Sequence, residues 1–142
     1  MEVITYAPRH LDAVLALCKA EGWTTFAANR DRAARAMGAP GVTALVAIEG
    51  GADEDRVLGF SQAVGDGAVT AYLCMLLVAP EARGRGIGRA LIERTLRDAG
   101  VLRLDLLASE EAMPLYERFP HNTMPGFRLY PDEGLHLPEA EA

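Results

Sequence analysis

Hydrophobic residues recur with two different periods along the chain, and each period predicts a different kind of element. A short apolar strand is predicted at residues 2–5. The next stripe has the i, i+3, i+4, i+7 spacing of an amphipathic helix and consists of Leu11, Val14, Leu15 and Cys18. Gly22 is placed to end this helix, and Asn29 is a suitable N-cap for a second one. The residues of the second helix that we expect to face inward are Ala33, Ala34 and Met37.

After the second helix the pattern changes to that of β-strands. Strands are predicted at 42–48, 57–64 and 69–78, and their short polar links favour an antiparallel meander. The third strand is the most apolar, which predicts a central position with both faces covered. Pro80 ends this strand, and a helix follows it. The apolar side of that helix consists of Leu91, Ile92, Leu96 and Ala99.

The segment after this helix contributes the rest of the sheet. Residues 102–107 alternate as a strand, and because they follow a helix we expect them to lie parallel to the preceding strand, after a right-handed crossover. A short helix is predicted within 110–119, with Pro114 in its first turn. Residues 127–130 are again strand-like, and a polar, acidic tail begins near residue 138.

Length and composition agree with one globular domain spanning residues 1–142. The chain has a mass of 15.2 kDa, with 50% hydrophobic and 24% charged residues, a balance typical of a folded protein. The order of helices and strands therefore predicts an α+β domain with a mixed sheet. The net charge of −6 makes general binding to nucleic acid unfavourable, because both partners are acidic.

Neither the N-terminus nor the cysteines indicate export or a metal site. The longest apolar run, residues 71–79, is far shorter than the ~20 residues that span a bilayer. The N-terminus lacks the basic and apolar regions of a signal peptide, so we expect a cytoplasmic protein with no membrane partner. Cys18 and Cys74 lack the spacing of metal ligands, so we expect two buried free thiols and no metal.

The loop between the third meander strand and the next helix has the composition of an anion site. It consists of Arg83, Gly84, Arg85, Gly86, Ile87, Gly88 and Arg89. The first N–H groups of a helix have no intrahelical partner and lie at the positive end of its dipole. Glycines let a phosphate approach the backbone closely, and arginines add positive charge. The loop is therefore predicted to bind a phosphate or a pyrophosphate.

Two common nucleotide-binding patterns do not fit this loop. A Walker A loop ends in Gly-Lys-Ser/Thr, whereas this loop contains neither a lysine nor a hydroxyl. A dinucleotide fingerprint that begins at Gly84 and Gly86 requires a third glycine, and the chain has Arg89 at that position. Neither pattern therefore identifies a ligand, and a glycine-rich helix entry that binds nothing is the alternative interpretation.

The spacing Arg83-x-x-Gly86-x-Gly88, directly after a Val-x-Pro strand exit, is one of two motifs in the chain. The second is Ser109-x-x-Ala112-x-x-Leu115-Tyr116 on the helix after the next strand. The first resembles the acetyl-CoA loop of the GNAT acetyltransferases, and the second is similar to that family's Asn-x-x-Ala-x-x-Leu-Tyr segment. The resemblance extends from the first strand to about residue 130.

The resemblance implies a GNAT acyl-CoA N-acyltransferase fold, with a mostly antiparallel sheet, one parallel strand pair at the cofactor cleft and flanking helices. It implies transfer of an acetyl group from acetyl-CoA, a co-substrate, to a primary amine by direct attack in a ternary complex. The matching general acid is Tyr116, and the matching donor to the thioester oxygen is the N–H of Leu76. The implied cofactor-binding residues are Leu76, Leu77, Val78, Arg83, Gly84, Arg85, Gly86, Ile87, Gly88, Arg89 and Ser109.

The chain departs from the family pattern at three places. Ser109 replaces the usual asparagine, and residues 119–125 form an insertion that shapes the acceptor pocket or is a longer surface loop. The family's frequent glutamate base falls near position 72, where this chain has Tyr72. The candidates for the base are Glu21, His10, Tyr72 or a chain of waters, and His10 is expected first as a surface residue.

The acceptor side is the least defined part of the sequence. Candidate acceptor contacts are Glu21, Trp23 and Tyr72, because a carboxylate and aromatic ring faces suit a cationic amine. His121 is expected in an exposed loop, with a role as acceptor ligand as the second interpretation. The acceptor is a small-molecule or protein amine, and the resemblance allows a homodimer. The alternative function is a non-catalytic acyl-CoA-binding module that keeps the loop without the chemistry.

Overall fold

The central sheet has five strands in the part of the chain that the structure, a computed structural model, describes: residues 1–50 and 56–131. The strands have the same order in the sheet as in the chain and are β1 (Glu2–Thr5), β2 (Val42–Glu49), β3 (Arg56–Gly65), β4 (Thr70–Val78) and β5 (Arg103–Asp105). The helices are α1 (Leu11–Glu21), α2 (Thr24–Ala27), α3 (Arg30–Gly38), α4 (Ile87–Ala99) and α5 (Met113–Tyr116). This arrangement confirms the predicted α+β fold class.

The first four strands pair antiparallel, and the fifth pairs parallel with the fourth. The bounds of the meander strands β2, β3 and β4 differ from the prediction by one residue at most. The parallel pair joins residues 103–105 to residues 70–72, so the mixed sheet is confirmed. The predicted strand at 102–107 is too long, because residues 106–109 leave β4 and line a cavity instead.

Two apolar clusters lie on the two faces of the sheet, because successive strand residues point to opposite sides. The cluster beneath α1 and α3 contains Val14, Cys18, Met37, Val46, Phe60 and Leu77. The cluster beneath α4 contains Leu45, Leu58, Ala79, Ile87 and Leu91. Cys18 is thus buried, as predicted, and the helices hold the sheet between two separate cores.

A β-bulge in β4 places Cys74 at the surface, so the prediction of a second buried thiol is wrong. Leu73 lies opposite Ala63 and Met75 lies opposite Gln62, which leaves Cys74 without an opposite residue in β3. A bulge re-aims side chains and bends the strand. The expectation that β4 is covered on both faces is therefore wrong at this residue.

The helix boundaries follow the signals in the sequence. Gly22 ends α1 in the left-handed conformation, with φ of 87°. Asn29 caps α3, and its side-chain oxygen accepts the N–H of Arg32 at 3.0 Å. Ala33 is buried but Ala34 is exposed, contrary to the prediction, because adjacent helical residues lie about 100° apart around the axis.

His10 is only 2% exposed, so its assignment to the surface is wrong. Its Nδ1 accepts the backbone N–H of Ala7 at 2.9 Å, which fixes the turn that leads into α1. The ring therefore has a structural role in this turn.

Residues 127–130 form no strand with the described part of the chain, so that prediction is wrong. Phe127 and Leu129 are 85% and 86% exposed, and their neighbours in the segment line a cavity. The predicted tail from 138 and most of the β2–β3 turn, 51–55, lie outside the described residues. Of the helices that are described, the longest has 13 residues, and none combines the length and apolarity needed to cross a bilayer.

Candidate active site

The main cavity lies where β4 and β5 separate. β5 pairs only with Thr70–Tyr72, so the same edge of β4 beyond Tyr72 has no neighbouring strand among the described residues. The cavity has a volume of about 280 Å³. Its walls come from β4, from the segment after β5, from α5 and from two segments distant in sequence. The lining residues include Trp23, Phe26, Leu76, Ser109, Tyr116 and Tyr130.

The glycine-rich loop forms a cradle of backbone amides at the start of α4. Gly84 and Gly86 both have φ of 79°, a left-handed conformation that glycine adopts without strain. A Cβ at either position would contact nothing within 4 Å, so both residues face open space. The first helical hydrogen bond runs from Ala90 N–H to the Gly86 carbonyl at 3.0 Å, which leaves the preceding amides without an intrahelical acceptor. The geometry fits an anion.

Gly88 has a different role from the other two glycines. A Cβ at Gly88 would lie 3.2 Å from Cδ2 of Leu115 and 3.9 Å from Cγ2 of Val78. The absent side chain therefore lets α4 pack closely against α5 and the end of β4. This contact joins the first turn of α4 to α5, the helix that carries Tyr116.

Each arginine side chain of the loop is held by a carboxylate. The pairs are Arg83–Glu21 at 2.9 Å, Arg85–Glu49 at 2.6 Å and Arg89–Glu93 at 2.8 Å. The hydrogen bond and the charge of Arg85 lower the pKa of Glu49. Arg83 also donates from Nε to the carbonyl of Val78 at 3.1 Å. An anion that uses these arginines must therefore compete with three carboxylates, while the backbone amides have no such competitor in the described part of the chain.

Tyr116 is half-buried in the cavity wall, in the same cavity as Ser109 and Leu76. Burial raises the pKa of Tyr116 to about 12, so its hydroxyl stays protonated across the ordinary pH range. The phenol can therefore donate a hydrogen bond or a proton into the cavity. The β4 bulge lies at Cys74, two residues before Leu76.

The structure brings together some of the other predicted residues and separates the rest. Trp23 lines the cavity, whereas the carboxylate of Glu21 is engaged by Arg83. Tyr72 does not line the cavity, although its hydroxyl accepts a hydrogen bond from Arg128, which does. His121 lies in an exposed loop, with Nδ1 2.7 Å from the carbonyl of Phe119. The side chain of Leu77 is buried beneath α1, so only its backbone could contact a ligand.

Arg128 and Tyr130 line the cavity and were not anticipated from the sequence. Arg128 donates hydrogen bonds to the hydroxyls of Tyr130 and Tyr72. Burial disfavours the charged guanidinium, but these hydrogen bonds outweigh it and raise the pKa of Arg128. The alternation of Phe127, Arg128, Leu129 and Tyr130 was the available signal, since it turns every second residue to the same side.

Residues 40–119, 80 of the 142 residues, match the family described as acetyltransferase (GNAT) domain, and the chain therefore belongs to the GNAT acetyltransferase family. The chain is also 34% identical over 80 residues to serotonin N-acetyltransferase 2, chloroplastic, from Oryza sativa subsp. japonica. That similarity covers 54% of this chain and 37% of the relative, so the chain matches little more than a third of the relative's length.

Solved acetyltransferase structures share the fold. A Trypanosoma brucei acetyltransferase has a TM-score of 0.67 at 22% identity. The match covers 90% of this chain and 99% of the Trypanosoma brucei chain. An aminoglycoside acetyltransferase from an uncultured soil metagenomic sample has a TM-score of 0.69 at 22% identity, with coverages of 92% and 98%. An aminoglycoside 6'-N-acetyltransferase complexed with coenzyme A has a TM-score of 0.59 at 22% identity, with coverages of 75% and 61%.

Proposed function

We propose that the protein is an N-acetyltransferase that moves the acetyl group of acetyl-CoA to a primary amine by direct attack in a ternary complex. The observation that carries this proposal is the contact between Gly88 and Leu115. It joins the amide cradle of the loop to the helix that presents Tyr116 to the cavity. Family membership supports acetyl transfer, and the neighbour complexed with coenzyme A supports the choice of donor.

The residues of the chain fit coenzyme A as a ligand. The open left-handed glycines, Gly84 and Gly86, and the amides of residues 87–89 suit its diphosphate. The edge of β4 at 76–78 faces no strand in the described structure and can pair with the amides of an extended ligand, as an added strand does. Ser109 lies in the same cavity and takes the place of the family's asparagine.

Acetyl-CoA supplies an activated acetyl group, and the chain supplies the groups that position and polarise the reactants. A carbon–nitrogen bond forms as the carbon–sulfur bond breaks, the amine loses a proton and the sulfur gains one. The N–H of Leu76 is proposed to stabilise charge on the thioester oxygen, a type of contact worth roughly 10²–10³ in rate. The hydroxyl of Tyr116 protonates the sulfur or holds it by a hydrogen bond.

The acceptor amine is proposed to lie against Trp23 and Phe26, which line the same cavity. The similarity to serotonin N-acetyltransferase supports an aromatic amine as one class of acceptor. Among the candidates for the base, His10 and Tyr72 are absent from the cavity lining and Glu21 is paired with Arg83. We therefore propose that the amine binds in its neutral form and that water takes the proton.

Two measurements on the purified full chain test this function. Calorimetry with coenzyme A should detect binding, and mass spectrometry should detect acetylated product when acetyl-CoA and a panel of primary amines are supplied. Absence of binding would remove the basis of the proposal. Binding with no product from any amine would favour the alternative of a non-catalytic acyl-CoA-binding module, in which Tyr116→Phe would be as inert as the wild type.

A further inference from the structure

The helix that carries Tyr116 is too short to hold its own position. α5 has four residues, Met113–Tyr116, and a proline lies in its first turn. Isolated helices of this length are not stable in water, so tertiary contacts must fix the direction of its side chains. The chain leaves α5 in a tight turn, in which the N–H of Phe119 donates to the carbonyl of Tyr116 at 3.0 Å. The contacts on the two sides of Tyr116 therefore decide where its side chain lies in the cavity.

Two neighbouring residues in the first turn of α4 contact the chain on either side of Tyr116. Gly88 contacts the residue before it, because a Cβ at Gly88 would lie 3.2 Å from Cδ2 of Leu115. Arg89 contacts the turn after it, because its Cζ lies 5.1 Å from the centre of the Phe119 ring. Tyr116 thus lies between two points at which its segment packs against α4.

Both partners of the contact between Arg89 and Phe119 are held by further hydrogen bonds. The Nε of Arg89 donates to the carboxylate of Glu93 at 2.8 Å, which fixes the guanidinium over the ring. Phe119 is partly buried although its two neighbours in the chain are exposed, and its carbonyl lies 2.7 Å from Nδ1 of His121. A guanidinium over an aromatic face at an exposed site favours the packed arrangement by about two- to fivefold.

We propose that Phe119 is a positioning residue for Tyr116: its ring, packed against Arg89, holds the end of α5 on the first turn of α4. This inference rests on the proposed function and deepens it, because the hydroxyl must meet the thioester sulfur in a defined direction. Phe119 does not line the cavity, so it acts through Tyr116 and not on a substrate. The first residue of the insertion 119–125 then has a role other than shaping the acceptor pocket or extending a surface loop.

The first test removes the ring and keeps an apolar side chain. With saturating acetyl-CoA and an amine that the wild type accepts, Phe119→Leu should lower kcat by about two- to tenfold. Misplacing a catalytic group costs up to ~10²-fold, but the loss cannot exceed that of Tyr116→Phe. The KM for acetyl-CoA should stay nearly unchanged, because the loop amides are unaltered and Arg89 keeps its pair with Glu93. Phe119→Tyr keeps the ring and should restore kcat. Phe127→Leu makes the same change at a ring that is 85% exposed, and this matched control should leave kcat unchanged.

Double-mutant cycles separate a positioning role from a general loss of stability. In the Tyr116→Phe background, Phe119→Leu should leave kcat nearly unchanged, because no hydroxyl remains to be positioned. Arg89→Gln breaks the same contact from the other side, so it should lower kcat by itself and make Phe119→Leu nearly neutral. Arg89 is exposed, so this variant tests the contact even if Phe119→Leu does not fold. Losses that multiply in either background, or an equal loss in Phe127→Leu, would overturn the inference.

Hydrogen exchange followed by mass spectrometry gives a readout without turnover. Without any ligand, the amides of residues 115–119 should exchange about two- to fivefold faster in Phe119→Leu than in the wild type, while those of α4 should not change. Equal exchange of residues 115–119 would refute the role of Phe119 even in a protein that acetylates amines. Faster exchange in a protein that acetylates no amine would leave the contact in place and contradict the proposed function, so the two failures can be told apart.

Discussion

Removing the hydroxyl of Tyr116 tests how the proposed leaving group is stabilised. Burial holds the pKa of Tyr116 at about 12, whereas an ordinary thiol has a pKa of about 8.5. Complete proton transfer from this phenol to a thiolate is therefore uphill by roughly 3.5 units, or about 5 kcal/mol. The larger contribution should then be a hydrogen bond to the developing negative charge on sulfur, and such bonds contribute about 1.5–3 kcal/mol. Tyr116→Phe should lower kcat by about 10- to 150-fold.

The assay is steady-state product formation with any amine that the wild type accepts, together with calorimetric binding of coenzyme A. Tyr116→Phe should bind coenzyme A with nearly wild-type affinity, because the loop amides are unchanged. Tyr6→Phe is the control, since Tyr6 is also partly buried but packs against the core beneath α1. A change in kcat of less than twofold would refute the role of the hydroxyl. A loss of wild-type activity near pH 10 that disappears in Tyr116→Phe would refute the raised pKa, because a phenol with a pKa of about 12 is still protonated there.

Three further predictions concern the loop, its ion pairs and the core. In calorimetry, Gly86→Asp should weaken coenzyme A binding at least tenfold more than Gly86→Asn does. Both substituted residues tolerate the left-handed φ of 79° at this position, but only aspartate repels a phosphate. Equal losses of affinity would count against the anion site. Glu21→Gln should raise the affinity for coenzyme A about two- to fivefold, because it releases Arg83 from its ion pair. The effect on stability should be small, since the pair is partly exposed. Weaker binding of coenzyme A would contradict a competition between Glu21 and the ligand for Arg83. Thr95→Val should lower the free energy of unfolding, measured in urea, by about 1–3 kcal/mol. The reason is that the buried Oγ of Ser61 loses its partner, Oγ1 of Thr95, which lies 3.3 Å away. Thr95→Ser keeps a hydroxyl at this position and should restore the hydrogen bond.

Local signals in the sequence were sufficient for the sheet and for the position of the glycine-rich loop. Strand alternation, the capping residue Asn29 and the stop at Gly22 each act within a few residues, so the elements that they define were predicted closely. The loop 83–89 and the helix of Tyr116 also depend on short spacings. Gly88 shows the limit of this reasoning, because its contact with Leu115 across 27 residues cannot be recognised from either segment alone.

The cavity could not be predicted because it is assembled by tertiary contacts. Trp23, Cys74 and Arg128 come from three distant parts of the chain and line the same cavity. The exposure of Cys74 depends on a bulge whose register is set by the opposite strand β3. The burial of His10 depends on the packing of a single turn against the core. None of these positions has a spacing that would distinguish it in a sequence.

The ion pairs around the glycine-rich loop limit what its arginine side chains can contribute to binding an anion. At the loop, every arginine side chain already has a carboxylate partner, so added salt should affect the existing pairs and a bound anion in the same direction. In a chain with net charge −6, attraction of an anion must come from such local arrangements and not from the overall field. In the described part of the loop, the backbone amides around Gly86 are therefore where positive potential is left for the proposed phosphate ligand.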